Sequence, residues 1–139
     1  MTQSVILTRD LPFSPDRVWR AIATGALMAE WLLPNDFQAT PGHRFTLQVA
    51  PMPGWDGVVS AQVLTVDPPR TLSYTWNSRG DPAVTVTTIV TFTLTPTPQG
   101  TRLDFEQSGF RDDQPQNSGG ARYGWMMFLD RLDALLKDQ

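Results

Sequence analysis

Strict alternation of side-chain type over residues 84–94 limits what the chain can fold into. One parity is almost wholly apolar: Val84, Val86, Thr88, Val90, Phe92 and Leu94. The other parity is mostly threonine: Thr85, Thr87, Ile89, Thr91 and Thr93. A period of two is that of a β-strand with two different faces. Such a strand is stable only when further strands flank it and another layer covers its apolar face.

Further β-prone segments lie on both sides of this run. They are predicted at residues 5–11, 45–49, 57–66, 72–76 and 103–107. Proline- and glycine-containing turns are predicted at 67–70, 77–82 and 95–100, followed by a polar loop at 109–120. Because the connections between the later strands are short, the sheet is predicted to be antiparallel.

Helices are predicted near both ends of the chain. Ser14 followed by Pro15 is typical of a helix start, with a capping hydroxyl and then proline at the first helical position. A second short helix is predicted over 26–33, and a long one over about 121–137. The long helix carries an apolar stripe: Ala121, Trp125, Phe128, Leu132 and Leu135.

This order of elements predicts an α+β fold. One strand, two short helices, a run of strands and a closing helix give a curved antiparallel sheet of about six to seven strands around a long C-terminal helix. The 139 residues suit one domain, predicted to span 1–139. We expect an apolar cavity between the sheet and the helix.

The charge pattern argues against two classes of partner. The net charge is −3, and the cationic residues are scattered along the chain. Nucleic-acid binding is therefore disfavoured, because it needs a basic face. No apolar stretch approaches the roughly 20 residues needed to cross a bilayer, so no membrane insertion is expected.

The residue inventory also excludes much metal and thiol chemistry. The chain has no cysteine and a single histidine, His43. Disulfides, thiolate catalysis, cysteine-based zinc sites and sites with several histidines are therefore excluded. No cofactor and no metal are predicted. The lack of cysteine fits a cytoplasmic location.

Seven short motifs follow one another in the order found in a known family. They are Pro15-x-x-Val18-Trp19-x-Ala21 with Trp31, Gly42-x-x-Phe45, Gly57-x-Val59, Pro68-Pro69-Arg70-x-Leu72 with Trp76, Gly100-Thr101-x-Leu103, Gly109-Phe110, and Gly124-Trp125 with Leu129 and Leu132. This order resembles the activator of Hsp90 ATPase homologue 1-like family, within the START-related SRPBCC superfamily. One departure is Leu32, where many members have a second tryptophan after the one matching Trp31.

The resemblance implies a fold and a kind of ligand. The fold is the helix-grip fold of START and Bet v 1-like proteins, with an internal cavity for small hydrophobic molecules. The candidate ligand-binding rings are Trp31, Phe45, Trp55, Trp76, Phe105, Trp125 and Phe128. Filling the core is the alternative role for each of these rings.

Three polar residues are in phase with inward-facing neighbours and complete the candidate site: Tyr74, Thr88 and Gln107. A buried polar group without a partner costs about 1–3 kcal/mol, so each should find a hydrogen bond. Another side chain, a water molecule or a ligand could supply it, and the sequence leaves these alternatives open.

Three functions follow from these features. The preferred one is a carrier or sensor that binds a small hydrophobic molecule, with no catalytic residue assigned. The second is an enzyme of the cyclase or aromatase type, for which only Tyr74 or His43 could act as acid or base. The third is a chaperone-associated interaction domain, to which only Trp55 and Met127 point. A protein partner or a homodimer is left open.

Overall fold

The computed structural model describes residues 2–48, 58–79, 85–111 and 115–137. Nine elements follow one another along the chain. They are β1 (Thr2–Leu11), α1 (Pro15–Ile22), α2 (Gly25–Trp31), β2 (Arg44–Gln48), β3 (Val58–Asp67), β4 (Thr71–Arg79), β5 (Thr85–Thr97), β6 (Gly100–Arg111) and α3 (Pro115–Lys137).

The six strands form one antiparallel sheet in the order β1-β6-β5-β4-β3-β2. This agrees with the predicted curved antiparallel sheet, at the lower of the two predicted strand numbers. The apolar parity of β5 is buried, from Thr88 through Val90 and Phe92 to Leu94, whereas Ile89 on the opposite face is 42% exposed. The sheet therefore has one buried inner face, and alternation in the sequence specifies which face it is.

The helix α3 closes the inner face, where it packs against β1, β6, α1 and α2. Arg9 on β1 is 2.6 Å from Asp130 on α3, and the guanidinium of Arg17 on α1 donates to the carbonyl of Leu136. The side chains of α3 that are buried against the sheet and helices are Trp125, Leu129, Leu132 and Leu136. The core thus lies between the sheet and α3.

The two short helices begin and join as local chemistry dictates. Ser14 caps α1, and its hydroxyl accepts a hydrogen bond from the backbone N–H of Arg17 at 3.3 Å. The indole N–H of Trp31, at the end of α2, donates to the carbonyl of Ala21 on α1 at 2.9 Å. This buried bond fixes α2 against α1 and directs the Trp31 ring into the core.

Three predicted turns or loops have wrong bounds. The turn predicted at 77–82 begins too early, because β4 continues to Arg79. The loop predicted at 95–100 is only two residues long, because β5 reaches Thr97 and β6 begins at Gly100. The loop placed at 109–120 holds the end of β6 and the start of α3, which begins at Pro115. Glycine has a poor helix propensity, so the Gly119-Gly120 pair favoured a loop in the sequence, whereas both residues lie within α3 in the structure.

The stripe predicted on α3 is partly out of phase. Leu129 and Leu136 are buried, whereas Phe128 and Leu135 are only half-buried. The apolar positions therefore follow a slightly different line along the helix from the predicted one. No helix in the described ranges is long and apolar enough to cross a membrane.

Candidate functional site

The interior contains one connected group of aromatic rings, here called the aromatic cluster. Its members are Trp31, Phe37, Phe45, Tyr74, Trp76, Phe92, Phe105, Trp125 and Phe128. Neighbouring centroids lie between 4.3 Å and 6.2 Å apart, within the range of favourable aromatic pairs. The cluster extends from the loop before β2 across the sheet to α3.

One end of the cluster surrounds Tyr74. The centroid of its ring is 5.3 Å from that of Phe45, 6.1 Å from that of Phe92 and 6.2 Å from that of Phe37. The Phe37 and Phe45 rings are themselves 5.1 Å apart in an edge-to-face arrangement. All four rings are buried. Tyr74 thus stands in a buried aromatic environment.

The other end of the cluster is built around Trp125 of α3. Its ring centroid is 4.3 Å from that of Phe105, 5.1 Å from that of Trp76 and 5.4 Å from that of Phe128. Trp125 and Phe105 are buried, but Trp76 and Phe128 are only half-buried. The cluster therefore reaches the surface where β4 faces α3.

A chain of hydrogen bonds crosses this end of the interior. The Trp125 indole N–H donates to the Gln107 side-chain oxygen at 2.9 Å, and the Gln107 amide donates to the Thr88 hydroxyl at 2.7 Å. That hydroxyl in turn donates to the backbone carbonyl of Trp76 at 3.1 Å. The sequence left open whether a side chain, a water molecule or a ligand bonds to Thr88 and Gln107. In the structure these two side chains are bonded to each other.

Tyr74 differs from this pair. Its side chain is fully buried, and its hydroxyl has no hydrogen-bond partner among the described residues. Burial raises the pKa of the Tyr74 hydroxyl well above its ordinary value, because the phenolate would lose its hydration. At neutral pH the group is therefore a neutral donor. It could not serve as a base there.

Among the described residues, the Asn77 side-chain oxygen is also buried without a hydrogen-bond partner. Asn77 is three residues from Tyr74 on the same strand, so it projects to the opposite face of the sheet. It is not part of the interior site.

The structure brings together the predicted site residues that it describes. Trp31, Phe45, Tyr74, Trp76, Thr88, Phe105, Gln107, Trp125 and Phe128 are all buried or half-buried. Trp55 lies outside the described residues. The position of these side chains agrees with the predicted inward phase, and their role in binding a ligand remains a prediction.

Two rings of the cluster were not among the predicted site residues. Phe92 contacts four other rings, and its alternation with Thr88 on β5 was the signal that could have identified it. Phe37 lies in the loop before β2, where no periodicity exists. It is positioned by the Asn35 side chain, which accepts a hydrogen bond from the Phe37 backbone N–H at 3.0 Å.

His43, the other candidate acid or base, has a local structural role. Its Nε2 atom is 3.1 Å from the carbonyl oxygen of Asp36, and its ring lies parallel to that of Phe45 with 6.4 Å between the centroids. The ring thus holds the loop before β2 against the end of the cluster.

A six-stranded antiparallel sheet closed by a C-terminal helix, with two short helices after the first strand, defines a helix-grip protein. The model of the family described as Activator of Hsp90 ATPase homolog 1-like protein matches residues 12–137. The chain belongs to this family. Members of the family and its superfamily are known for binding small ligands.

Solved structures agree with this assignment. Protein MLL2253 from Mesorhizobium loti is 46% identical, with a TM-score of 0.90 over 99% of this chain and 98% of that one. CalU16 from Micromonospora echinospora is 25% identical, with a TM-score of 0.79 over 97% of this chain and 76% of that one. DynU16, from the dynemicin biosynthetic locus, shares the fold at 21% identity, with a TM-score of 0.78 over 96% of this chain and 47% of its own. No curated protein matches the sequence.

Proposed function

We propose that the protein binds a small hydrophobic molecule between the inner face of its sheet and α3, as a carrier or sensor. The observation that carries this proposal is the aromatic cluster, which runs from the buried ring of Tyr74 to the half-buried rings of Trp76 and Phe128. Ligand sites of this kind are mostly apolar and aromatic, with a few polar groups that set orientation.

The half-buried rings support a route into the interior. Trp76 belongs to β4 and Phe128 to α3, and both rings contact the Trp125 ring. A ligand that displaced these two rings would reach Trp125 without breaking the sheet. The location of the cluster between the sheet and the helix also fits a family known for small-ligand binding.

The test combines native mass spectrometry with thermal unfolding. Freshly purified protein is expected to carry a co-purifying small molecule. After its removal, members of a panel of fatty acids and polycyclic aromatic compounds should raise the melting temperature as their concentration rises, since a ligand specific for the folded state stabilises it by mass action.

Matched variants locate the bound molecule. Trp76→Ala and Phe128→Ala should weaken binding by about tenfold or more, because each removes a large apolar contact surface. Ile89→Ala is the control, since Ile89 lies on the outer face of β5 and is 42% exposed. An apo mass with no stabilising compound would contradict the proposal, as would equal losses in all three variants.

An enzymatic role has less support. His43 contacts a backbone carbonyl in its loop, and the buried Tyr74 hydroxyl has no second titratable group beside it in the aromatic cluster. A cytoplasmic location remains a prediction from the sequence.

A further inference from the structure

Among the described residues, the Tyr74 hydroxyl is the polar group facing the aromatic cluster that has no hydrogen-bond partner. The other buried polar side chains near the cluster, Thr88 and Gln107, are bonded to each other and to Trp76 and Trp125. The Tyr74 hydroxyl, equally buried, meets no acceptor among the described residues. An unmade hydrogen bond at a buried group is costly, so the unpaired state destabilises the free protein.

The described neighbours of Tyr74 offer no hydrogen-bond acceptor to its hydroxyl. Its cross-strand neighbours are Val63 on β3 and Val90 on β5, both buried and apolar. Its other close contacts are aromatic rings, those of Phe37, Phe45 and Phe92. No described neighbour of Tyr74 therefore supplies an acceptor, which leaves the hydroxyl available to a bound molecule.

We propose that the Tyr74 hydroxyl recognises the ligand by donating a hydrogen bond to a carbonyl-type oxygen on an otherwise apolar, uncharged molecule. This inference rests on the proposed function and adds the chemical class of the ligand. It makes Tyr74 a specificity-determining residue, whereas the rings around it supply apolar contact.

The absence of buried charge argues for an uncharged ligand. Among the residues whose burial the structure describes, the buried polar side chains are Ser73, Thr88, Thr101 and Gln107, and none of them is ionisable at neutral pH. An anion or cation next to Tyr74 would lose its hydration without gaining a counter-ion. A ketone, quinone, ester or amide oxygen accepts the phenol hydrogen without that cost.

The test compares two probes of one shape, 1-tetralone and tetralin, which differ by the carbonyl oxygen. Calorimetry should show that wild-type protein binds 1-tetralone about tenfold more tightly than Tyr74→Phe does, whereas both proteins bind tetralin equally. The carbonyl stretch of bound 1-tetralone should lie at lower frequency in wild type than in Tyr74→Phe. The free variant should melt at the same or a higher temperature, because it loses only an unpaired hydroxyl.

The outcomes separate this inference from the function on which it rests. If both probes bind and Tyr74→Phe changes neither affinity nor the carbonyl stretch, the inference falls and the carrier function stands. If neither probe binds wild type, the inference falls, whereas the carrier function falls only if the native mass spectrum and the thermal panel are also negative. Tyr123→Phe is the control, since Tyr123 is 76% exposed on α3 and its removal should change neither probe's affinity.

Discussion

Three side chains from two strands and a helix share the polar part of the interior. Gln107 is central, because its oxygen accepts from Trp125 while its amide donates to Thr88. Both bonds are buried, where a lost partner costs more than it would at the surface. This amide group therefore ties Trp125 of α3 to β5 and β6.

A double-mutant cycle measures this dependence. Gln107→Leu and Thr88→Val should each lower the free energy of unfolding by about 1–3 kcal/mol, since each leaves a buried group unpaired. The double variant should lose less than the sum of the two, by about 0.5–3 kcal/mol, because their shared bond is counted only once. Denaturant unfolding gives these values.

The control for this cycle is Thr91→Val, on the outer face of the same strand as Thr88. It should change the free energy of unfolding by less than about 0.5 kcal/mol. Strictly additive losses for Gln107→Leu and Thr88→Val would contradict the shared bond.

Alternation predicted which side chains of the site point inward, because the pleat of a strand fixes the face of every residue. Alternation could not predict which groups these side chains contact. The bond between Gln107 and Trp125 depends on how α3 lies across the sheet, and the unpaired state of Tyr74 depends on the rings from three other parts of the chain. Tertiary packing decides both.

At the scale of elements, the end of β1 and the hairpin between β5 and β6 approach each other closely at Gly100. A Cβ atom on Gly100 would collide with the Leu11 carbonyl oxygen and lie 2.6 Å from the Phe13 amide nitrogen. Its φ angle is 155°, and the neighbouring Thr101 hydroxyl donates to the Phe13 carbonyl at 2.7 Å. Backbone contact thus joins the turn after β1 to the hairpin.

Two alanine substitutions should have opposite effects on stability. Gly100→Ala should lower the free energy of unfolding by about 1–3 kcal/mol, as overpacking does. Gly124→Ala should raise it by about 0.5–1 kcal/mol, since Gly124 lies inside α3 with no neighbouring atom within 4 Å of an added Cβ. Urea unfolding of the two variants checks this, and equal shifts in one direction would contradict the contact.

The element order was predictable because period two and helical spacing are local properties of a sequence. The residues at which the elements begin and end were less predictable. The start of α3 at Pro115 contradicts the low helix propensity of Gly119 and Gly120, and the extension of β5 to Thr97 continues past Pro96. At the end of β5, pairing with β6 outweighs the local preference.

At the scale of the whole molecule, few groups can change charge at alkaline pH. The chain has two tyrosines and one lysine, Lys137, and its other cationic side chains are arginines, which stay protonated. Of the tyrosines, Tyr74 is fully buried and Tyr123 is 76% exposed. The dependence of stability on pH above about 10 should therefore report mainly on one buried hydroxyl.

The sign of that dependence follows from proton linkage. In the unfolded chain Tyr74 loses its proton near pH 10, whereas in the folded protein burial raises its pKa, so the folded state holds more protons above that pH. Stability is unaffected by this group below pH 10 and should fall above it by up to about 1.4 kcal/mol per pH unit. Urea unfolding between pH 8 and pH 11.5 would show this decline.

Two variants assign the decline to Tyr74. Tyr74→Phe should remove its part of the slope, so that the stability difference between variant and wild type widens with rising pH, whereas Tyr123→Phe should follow wild type. Parallel curves for wild type and Tyr74→Phe would mean that the hydroxyl reaches solvent in the free protein. A saturating carbonyl ligand should raise the whole curve without moving the onset of the decline, because the onset is set by the pKa of the unfolded chain and the folded state already holds the Tyr74 proton over this range.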